Sequence, residues 1–527
     1  MGEKGTAGTR LLLLAMALAS GITSVPNAAI VVALPTIHSE LHASLNDLEW
    51  TVTGFLLTYS ALLIAAGRLA DVFGRVRVLV IGTLVYMAAS VPAALAGNAT
   101  VLIGGLIVAG VGAAVLTPAS LAIVTEEFRG KRGGMAVGVW GAASVVFSGI
   151  GPAIGGALTE QASWRWILWL NVIAGVVILI GVWRTPESRD EEATRHIDYT
   201  GLALLTVGLS AIILALNKAP TPWAFSSPEF VLVLAGGVVL LVGFALLEPR
   251  LRDPLIDLRL FARRNLTGAC VVAFVVSFPF SAVFFFLPLH LHEVLGYDAL
   301  QSGLLLLPMT LTMMITMPLG GRWFDRIGPI PPMLGGMVLT GVGMLLLGGI
   351  STSTRYAGLW PALALLGLGV GAALTPMNLA ALNSVPRRNH GAVGGIICTV
   401  SGVGSTLGVA LSGAVFEQLQ TEGTVSAAAD RGVRIGNAAA RTLEGLLAGA
   451  PDARRALAAY PLGQQAALRQ AVRDGFTSAL GTTMLLSAAV VAVGAVLALL
   501  LIRPLPRPSA LRRPNVADPF SGLTPRP

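Results

Sequence analysis

Charge is scarce in this sequence. Asp, Glu, Lys and Arg make up 12% of its 527 residues, against about 25% in an ordinary globular chain. The apolar share is 54%, and a water-soluble body of that composition has too little polar surface to cover itself. At about 20 apolar residues per crossing, this content is enough for around fourteen membrane spans, with little left for a soluble domain. Cysteine is nearly absent. Cys270 and Cys398 both sit inside apolar runs, which excludes a disulfide framework and a Cys-based metal site. The chain also lacks H-E-x-x-H, a G-x-x-x-x-G-K-S/T phosphate loop, paired aspartates within a span and an isolated Ser/Lys dyad. ATP hydrolysis and metal-dependent catalysis therefore have no local basis, and the sequence calls for no cofactor. A membrane-embedded enzyme or a sensor is the rival reading from another class, disfavoured by these absences and by the lack of a sizeable cytoplasmic output domain.

What is present is a series of long apolar runs. They fall at 11–34, 48–69, 76–96, 100–124, 134–158, 165–183, 199–217 and 229–247, then at 267–289, 301–319, 332–350, 358–383, 391–415 and 476–502. The first is too long for a signal-peptide core and is followed by many others, so it reads as a retained helix. The Gly, Ala, Ser and Thr content suits close helix packing in lipid. Loops after the even-numbered runs, up to the twelfth, carry eighteen Lys and Arg, whereas the short loops after odd-numbered runs carry three. The positive-inside rule then places both termini in the cytoplasm. The net charge of +8 serves topology, which removes nucleic acid as a partner and leaves the lipid bilayer. The long loop 417–475 holds seven arginines and lies outside by parity, which long loops tolerate. It reads as a solvated cap without chemistry of its own.

The chain repeats itself. GRLADVFG at Gly67 and GRWFDRIG at Gly321 share G-R-x-x-D-x-x-G and lie 254 residues apart. SGIGPAIGGAL at Ser148 matches SGVGSTLGVAL at Ser401 with a spacing of 253, and GAAVLTP at Gly112 matches GAALTP at Gly371 with a spacing of 259. Three matches in nearly one register predict an all-α integral membrane fold. It has two parallel six-helix bundles plus two inserted helices, fourteen transmembrane helices in all, with the bundles able to rock about a central site. The predicted divisions are an N-terminal bundle at 1–183, the insert with its cytoplasmic linkers at 184–264, a C-terminal bundle at 265–502 and a cytoplasmic tail at 503–527.

GRLADVFGRVR from Gly67, GIGPAIGGAL from Gly149, Trp164-Arg165-Trp166 leading to Asn171, and EPRLRDPLIDLRLF from Glu248 together resemble the fourteen-helix drug:proton antiporter branch of the major facilitator superfamily, the EmrB/QacA type. The resemblance covers about residues 10 to 502. It implies a secondary-active exporter in the bacterial inner (cytoplasmic) membrane, working by alternating access on a small lipophilic substrate in exchange for protons. A lipid or lipid-linked metabolite flippase of the same fold is the alternative, in which the long outer loop hands substrate to an extracytoplasmic accessory protein.

Residue by residue, Asp71 and Arg75 stand one helical turn apart, where opposite charges meet. An acid at Asp71 can also face a helix N-terminus of the other bundle. The resemblance implies a cytoplasmic latch made by Gly67, Arg68, Asp71, Gly74 and Arg75, extended by Glu126 or Glu127 and mirrored by Gly321, Asp325 and Arg326. Gly149, Gly151, Gly155 and Gly156, with Pro152 among them, form a smooth face on the fifth helix, which the resemblance implies is a gate between bundles. Trp164 and Trp166 suit interfacial anchoring, and snorkelling satisfies Arg165.

Members of the branch usually carry an aspartate ahead of V-A-L-P in helix 1 and an arginine in helix 4. Here the matching positions are Pro26 and Leu106, and the usual helix-4 glutamine is Ala109. None of the 27 acidic residues falls near the middle of a run. Proton coupling needs a group that changes charge; the candidates near outer helix ends are Glu49, Glu160, Glu417, His290 and His292. Asn27, Thr117, Thr375 and Asn378 are polar positions deep enough to line a cavity. A buried cation needs a compensating carboxylate, so a cavity without one predicts neutral or weakly anionic lipophilic substrates and poor transport of quaternary ammonium dyes.

Overall fold

The computed structural model describes residues 3–128, 133–187, 198–218, 227–251, 258–297, 299–352, 354, 356–386, 389–447 and 451–503, and among them the regular structure is entirely helical. In lipid every backbone N–H and C=O must be paired within its own segment, and long apolar runs meet that demand as helices. The first run is divided. α1 (Glu3–Ile22) and α2 (Val25–Leu41) meet at Thr23 and Ser24, because Pro26 has no N–H to offer the carbonyl four residues back, that of Ile22. The freed Ile22 carbonyl accepts from the Tyr86 hydroxyl at 3.4 Å.

The N-terminal half continues with α3 (Leu45–Phe73), α4 (Arg75–Ala94), α5 (Ala99–Glu127), α6 (Gly133–Gln161) and α7 (Arg165–Val182), followed by α8 (Tyr199–Lys218) and α9 (Pro228–Leu247). The C-terminal half holds α10 (Arg264–Leu289), which ends in a π turn at His290–Val294, then α11 (Ala299–Leu304), α12 (Leu307–Ile327), α13 (Ile330–Gly348) and α14 (Tyr356–Asn383). It closes with α15 (His390–Asp430), α16 (Asn437–Glu444), α17 (Pro451–Ala458) and α18 (Leu462–Leu501). Among the described residues thirteen helices are long and apolar enough to cross a membrane; the divided α1–α2 run is the fourteenth in the sequence's count.

Segment 417–475 differs from the expected loop. α15 is one helix of 41 residues, about 60 Å long, while the hydrocarbon core is about 30 Å thick, so much of it stands beyond the apolar run. α18 extends likewise, and α16 and α17 lie between them. Ala428, Leu443, Leu457, Leu468 and Val472 bury a small core there. The cap is therefore a packed helical hairpin. Its Leu468, Ala471 and Val472 recur at helical spacing inside an otherwise polar stretch.

The halves meet chiefly along two seams, α3 on α15 and α6 on α12. The inserted α8 packs on both α3 and α15, so it covers one seam and leaves the other. α9 leans mainly on α8 and has 17% of its most apolar stretch buried, against 33–56% for the other spans, which marks it as the outermost helix.

Candidate functional site

The seam between α3 and α15 is fastened at its end nearest the basic loops. α3 stops because Gly74 takes a φ of 108°, a conformation that strains any side-chain-bearing residue, and α4 starts at once with Arg75. Gly67 and Gly391 approach so closely that a methyl on either would collide with the other's carbonyl. That contact brings Asp71 to the first turn of α15, where its carboxylate accepts from the N–H groups of Gly391 at 3.0 Å and Ala392 at 2.9 Å. Free N–H groups and the helix dipole both favour an anion there. Arg75 donates to Asp71 at 3.0 Å and to Glu126 at 3.3 Å. Asp71 is 0% and Arg75 4% exposed, so the cluster is shielded from water. Arg68 is half-buried beside it. Glu187, absent from the sequence reading, accepts from the N–H groups of Val76 and Arg77 at 3.0 and 2.9 Å and caps α4. Its only sequence signal was an acid following the sixth span.

The α6–α12 seam repeats the backbone arrangement. Gly321 and Gly134 touch at their carbonyls, the Gly134 N–H points to the Asp325 carboxylate, and Gly328 has a φ of 83°. The charges differ. Pro329 stands where the first loop has Arg75, Arg326 is exposed, and among the described residues one Asp325 oxygen has no hydrogen-bond partner.

The glycine face of α6 serves two neighbours. Gly149 lies against Thr310 of α12 in the other half, whereas Gly155 and Gly156 lie against Ala29 and Val32 of α2 in their own half. Gly151 is buried and Pro152 exposed. The expectation of one inter-bundle face is thus corrected for Gly155 and Gly156, which let the divided first helix approach.

At mid-depth the polar groups are neutral. The Tyr59 hydroxyl is 3.1 Å from Thr117 and is also bonded to Thr23 at the break in helix 1, with Cys398 of the other half close by. Ser20 meets Ser144. Thr375 is buried, with no partner for its hydroxyl among the described residues, and Asn378 donates to the Leu374 carbonyl at 3.1 Å. Asn27 lies on α2, but its side chain falls outside the described residues, as does that of Glu49. Tyr59, Tyr86 and Thr23 were missed by sequence reasoning, although a tyrosine inside an apolar run is itself a signal. Two grooves of about 530 and 470 Å³, one between α4 and α5 and one between α13 and α18, are lined by apolar residues and carry no recognition chemistry.

Of the outer candidates, Glu160 and Glu417 are exposed. His292 is exposed and its Nδ1 meets the Tyr297 carbonyl at 2.7 Å. His290 is fully buried, with neither ring nitrogen partnered among the described residues. Trp166 is exposed, as an interfacial anchor would be, but Trp164 is 1% exposed and Arg165 does not snorkel. Both donate to Glu40, at 3.0 and 2.7 Å, and Arg165 also donates to the Ala96 carbonyl at 3.2 Å. This ties α2, the α4–α5 turn and α7 together within one half. Among the described residues no cluster of His, Cys, Asp and Glu is placed to hold a metal ion.

Comparison with known proteins agrees with this architecture. The chain is 28% identical to the tetracenomycin C resistance and export protein of Streptomyces glaucescens, over 92% of this chain and 90% of that one. It is 33% identical to the puromycin resistance protein of Streptomyces alboniger, over 75% and 80%. The crystal structure of the human organic anion transporter MFSD10 superposes with a TM-score of 0.58 at 15% identity, covering 93% of this chain and 100% of that one, which speaks for the fold alone. The Major Facilitator Superfamily profile matches residues 14–409. The paired seams, the repeated loop and these matches together show that this chain is a multi-pass membrane transporter belonging to the Major Facilitator Superfamily.

Proposed function

We propose that the chain exports small lipophilic compounds by alternating access, as a proton-coupled antiporter in the bacterial cytoplasmic membrane with both termini inside. One observation carries the reading: a buried carboxylate on one half, Asp71, grips the first turn of a helix in the other half through bonds that break without covalent change. In this reading Gly67, Asp71, Gly74, Arg75 and Glu126 latch the cytoplasmic side shut and so favour the outward-facing state, with Gly321 and Asp325 forming a second, weaker contact. Residues 1–183 and 265–502 are the moving bodies, and 184–264 is the insert that rides on one seam.

The neutral hydroxyls around Tyr59 and Thr117 support a substrate without a fixed positive charge, since an unpaired charge in low dielectric is costly. Curated relatives that confer resistance to puromycin or export tetracenomycin C support the efflux direction. A pump-deficient bacterial host expressing this chain is expected to survive higher tetracenomycin C than the empty host. Protection should change between two external pH values and disappear with Asp71→Asn, while a quaternary ammonium dye gains little. Equal survival with and without the chain, for tetracenomycin C and puromycin alike, overturns the export reading.

A further inference from the structure

The outer ends of the first helices in the two halves are built alike, except for one residue. In the first half Leu34-Pro35 is followed three residues later by His38, whose Nδ1 meets the Ala43 carbonyl at 2.6 Å. In the second half Leu287-Pro288 is followed four residues later by His292, whose Nδ1 meets the Tyr297 carbonyl at 2.7 Å. Both histidines close the same turn, so the second half carries one extra residue between proline and histidine. A helix takes up such a residue by widening one turn. The Leu295 N–H reaches back five residues to the His290 carbonyl at 3.1 Å, in the π turn His290–Val294. Widened turns of this kind recur at functional sites.

The widened turn begins with His290, which is 0% exposed. It stacks on Phe476 of α18 with ring centroids 6.1 Å apart. Phe476 meets Phe416 of α15 at 4.9 Å, and Phe416 meets Phe286 of α10 at 5.1 Å. A neutral imidazole carries one donor and one acceptor, and burying both unmade is costly. A phenylalanine or leucine would fill the same space without that cost. α15 and α18 are also the two helices that continue outward into the 417–475 hairpin.

We infer that His290 is a proton-binding site on the extracytoplasmic side, and that its protonation parts the Phe416–Phe476 pair and loosens the hairpin they support. This deepens the proton-coupled reading above and rests on it. An imidazolium cannot remain stacked on Phe476 in a site closed to water, so charging it requires the imidazole to leave or the Phe416–Phe476 pair behind it to open. The charged groups around it are few. His292 and the half-buried Glu293 lie on its own turn, α10 has only Arg264 at its far end, and α11 has none. α15 brings Glu417, and α18 brings Arg473 and Asp474, the latter held by Arg431, Thr352 and Gln470. Glu293 shares the turn with His290, and Glu417 follows Phe416 on α15, so these are the carboxylates nearest along the chain to the aromatic contacts.

Hydrogen–deuterium exchange on the full chain in lipid nanodiscs, at about pH 4 and about pH 8 to span histidine titration with room below the ordinary range, tests this. After correction for intrinsic exchange, segments 416–430 and 462–476 should open faster at the lower pH in the wild type. They should open equally at both in His290→Phe, which keeps an aromatic ring in place. If that variant does not fold, His290→Gln serves instead. Loosening that persists in the variant, or is absent from the wild type, overturns the site. Proteoliposomes moving tetracenomycin C under an imposed proton gradient separate the two ideas. Gradient-driven transport left intact by His290→Phe, with loosening at low pH that persists in the variant, overturns the site and spares antiport, whereas pH-dependent exchange without any gradient-driven transport supports the site and sinks antiport.

Discussion

The two copies of the G-R-x-x-D-x-x-G loop share a backbone and divide in their charges. Each has a glycine in a left-handed conformation after the aspartate, at Gly74 and Gly328, and each starts at a glycine pressed against a glycine of the other half. Around Asp71 the carboxylate is gripped by two N–H groups and an arginine, which in turn reaches Glu126. Around Asp325 the arginine position is Pro329, and one oxygen goes unpaired among the described residues. Close approach of the two halves thus needs only glycine, while the strength of the closed contact depends on charge, and the chain invests that charge in one seam. The same seam is the one α8 covers.

Substitutions at both loops sharpen this contrast, with Cys398 as a native reporter. It sits on α15 near Tyr59, about two turns beyond the Asp71 contact, and its maleimide labelling from the basic-loop side can be followed in a Cys270→Ala background. Gly67→Leu and Gly321→Leu should have the largest effect, and comparably so. Each new side chain meets a backbone carbonyl that cannot rotate away, so the inner end fails to close and labelling becomes fast. Slow labelling in either variant would show that the glycine crossing is not required.

Asp71→Asn should come next. Removing one partner of a buried ion pair costs about 3–5 kcal/mol, and an amide turns an N–H donor toward the Gly391 and Ala392 donors. Labelling should rise by about a hundredfold or more, at about tenfold per 1.4 kcal/mol. Asp325→Asn should change it by less than about tenfold. Equal effects at the two sites would contradict the asymmetry described here. Pro329→Arg should be the smallest, slowing labelling by about two- to fivefold if the new guanidinium pairs with Asp325 at partly exposed strength. Faster labelling would mean that Pro329 is needed for the turn itself.

Much of the fold was readable along the chain because its causes are local. Apolar length marked the spans, the loop arginines alternated, and the glycine-bearing repeats announced two related halves. Pro26 stood in the sequence as well, yet the division of helix 1 went unread, because a proline in an apolar run bends or breaks a helix according to what receives the freed carbonyl. Here that receiver is Tyr86, 64 residues away. Trp164 and Arg165 looked like surface anchors for the same reason, since Glu40, 124 and 125 residues distant, turns them inward.

From the sequence alone came the membrane, the helices and the repeated loop, all set by hydropathy, steric permissiveness and short-range spacing. Only the tertiary structure decided which glycines meet across the halves, that among the described residues one Asp325 oxygen goes without a partner, that Gly155 and Gly156 face their own bundle, and that His290 is buried against Phe476. Those outcomes depend on which distant groups are brought within bonding distance, and interactions of a few ångströms leave no trace in the order of residues hundreds of positions apart.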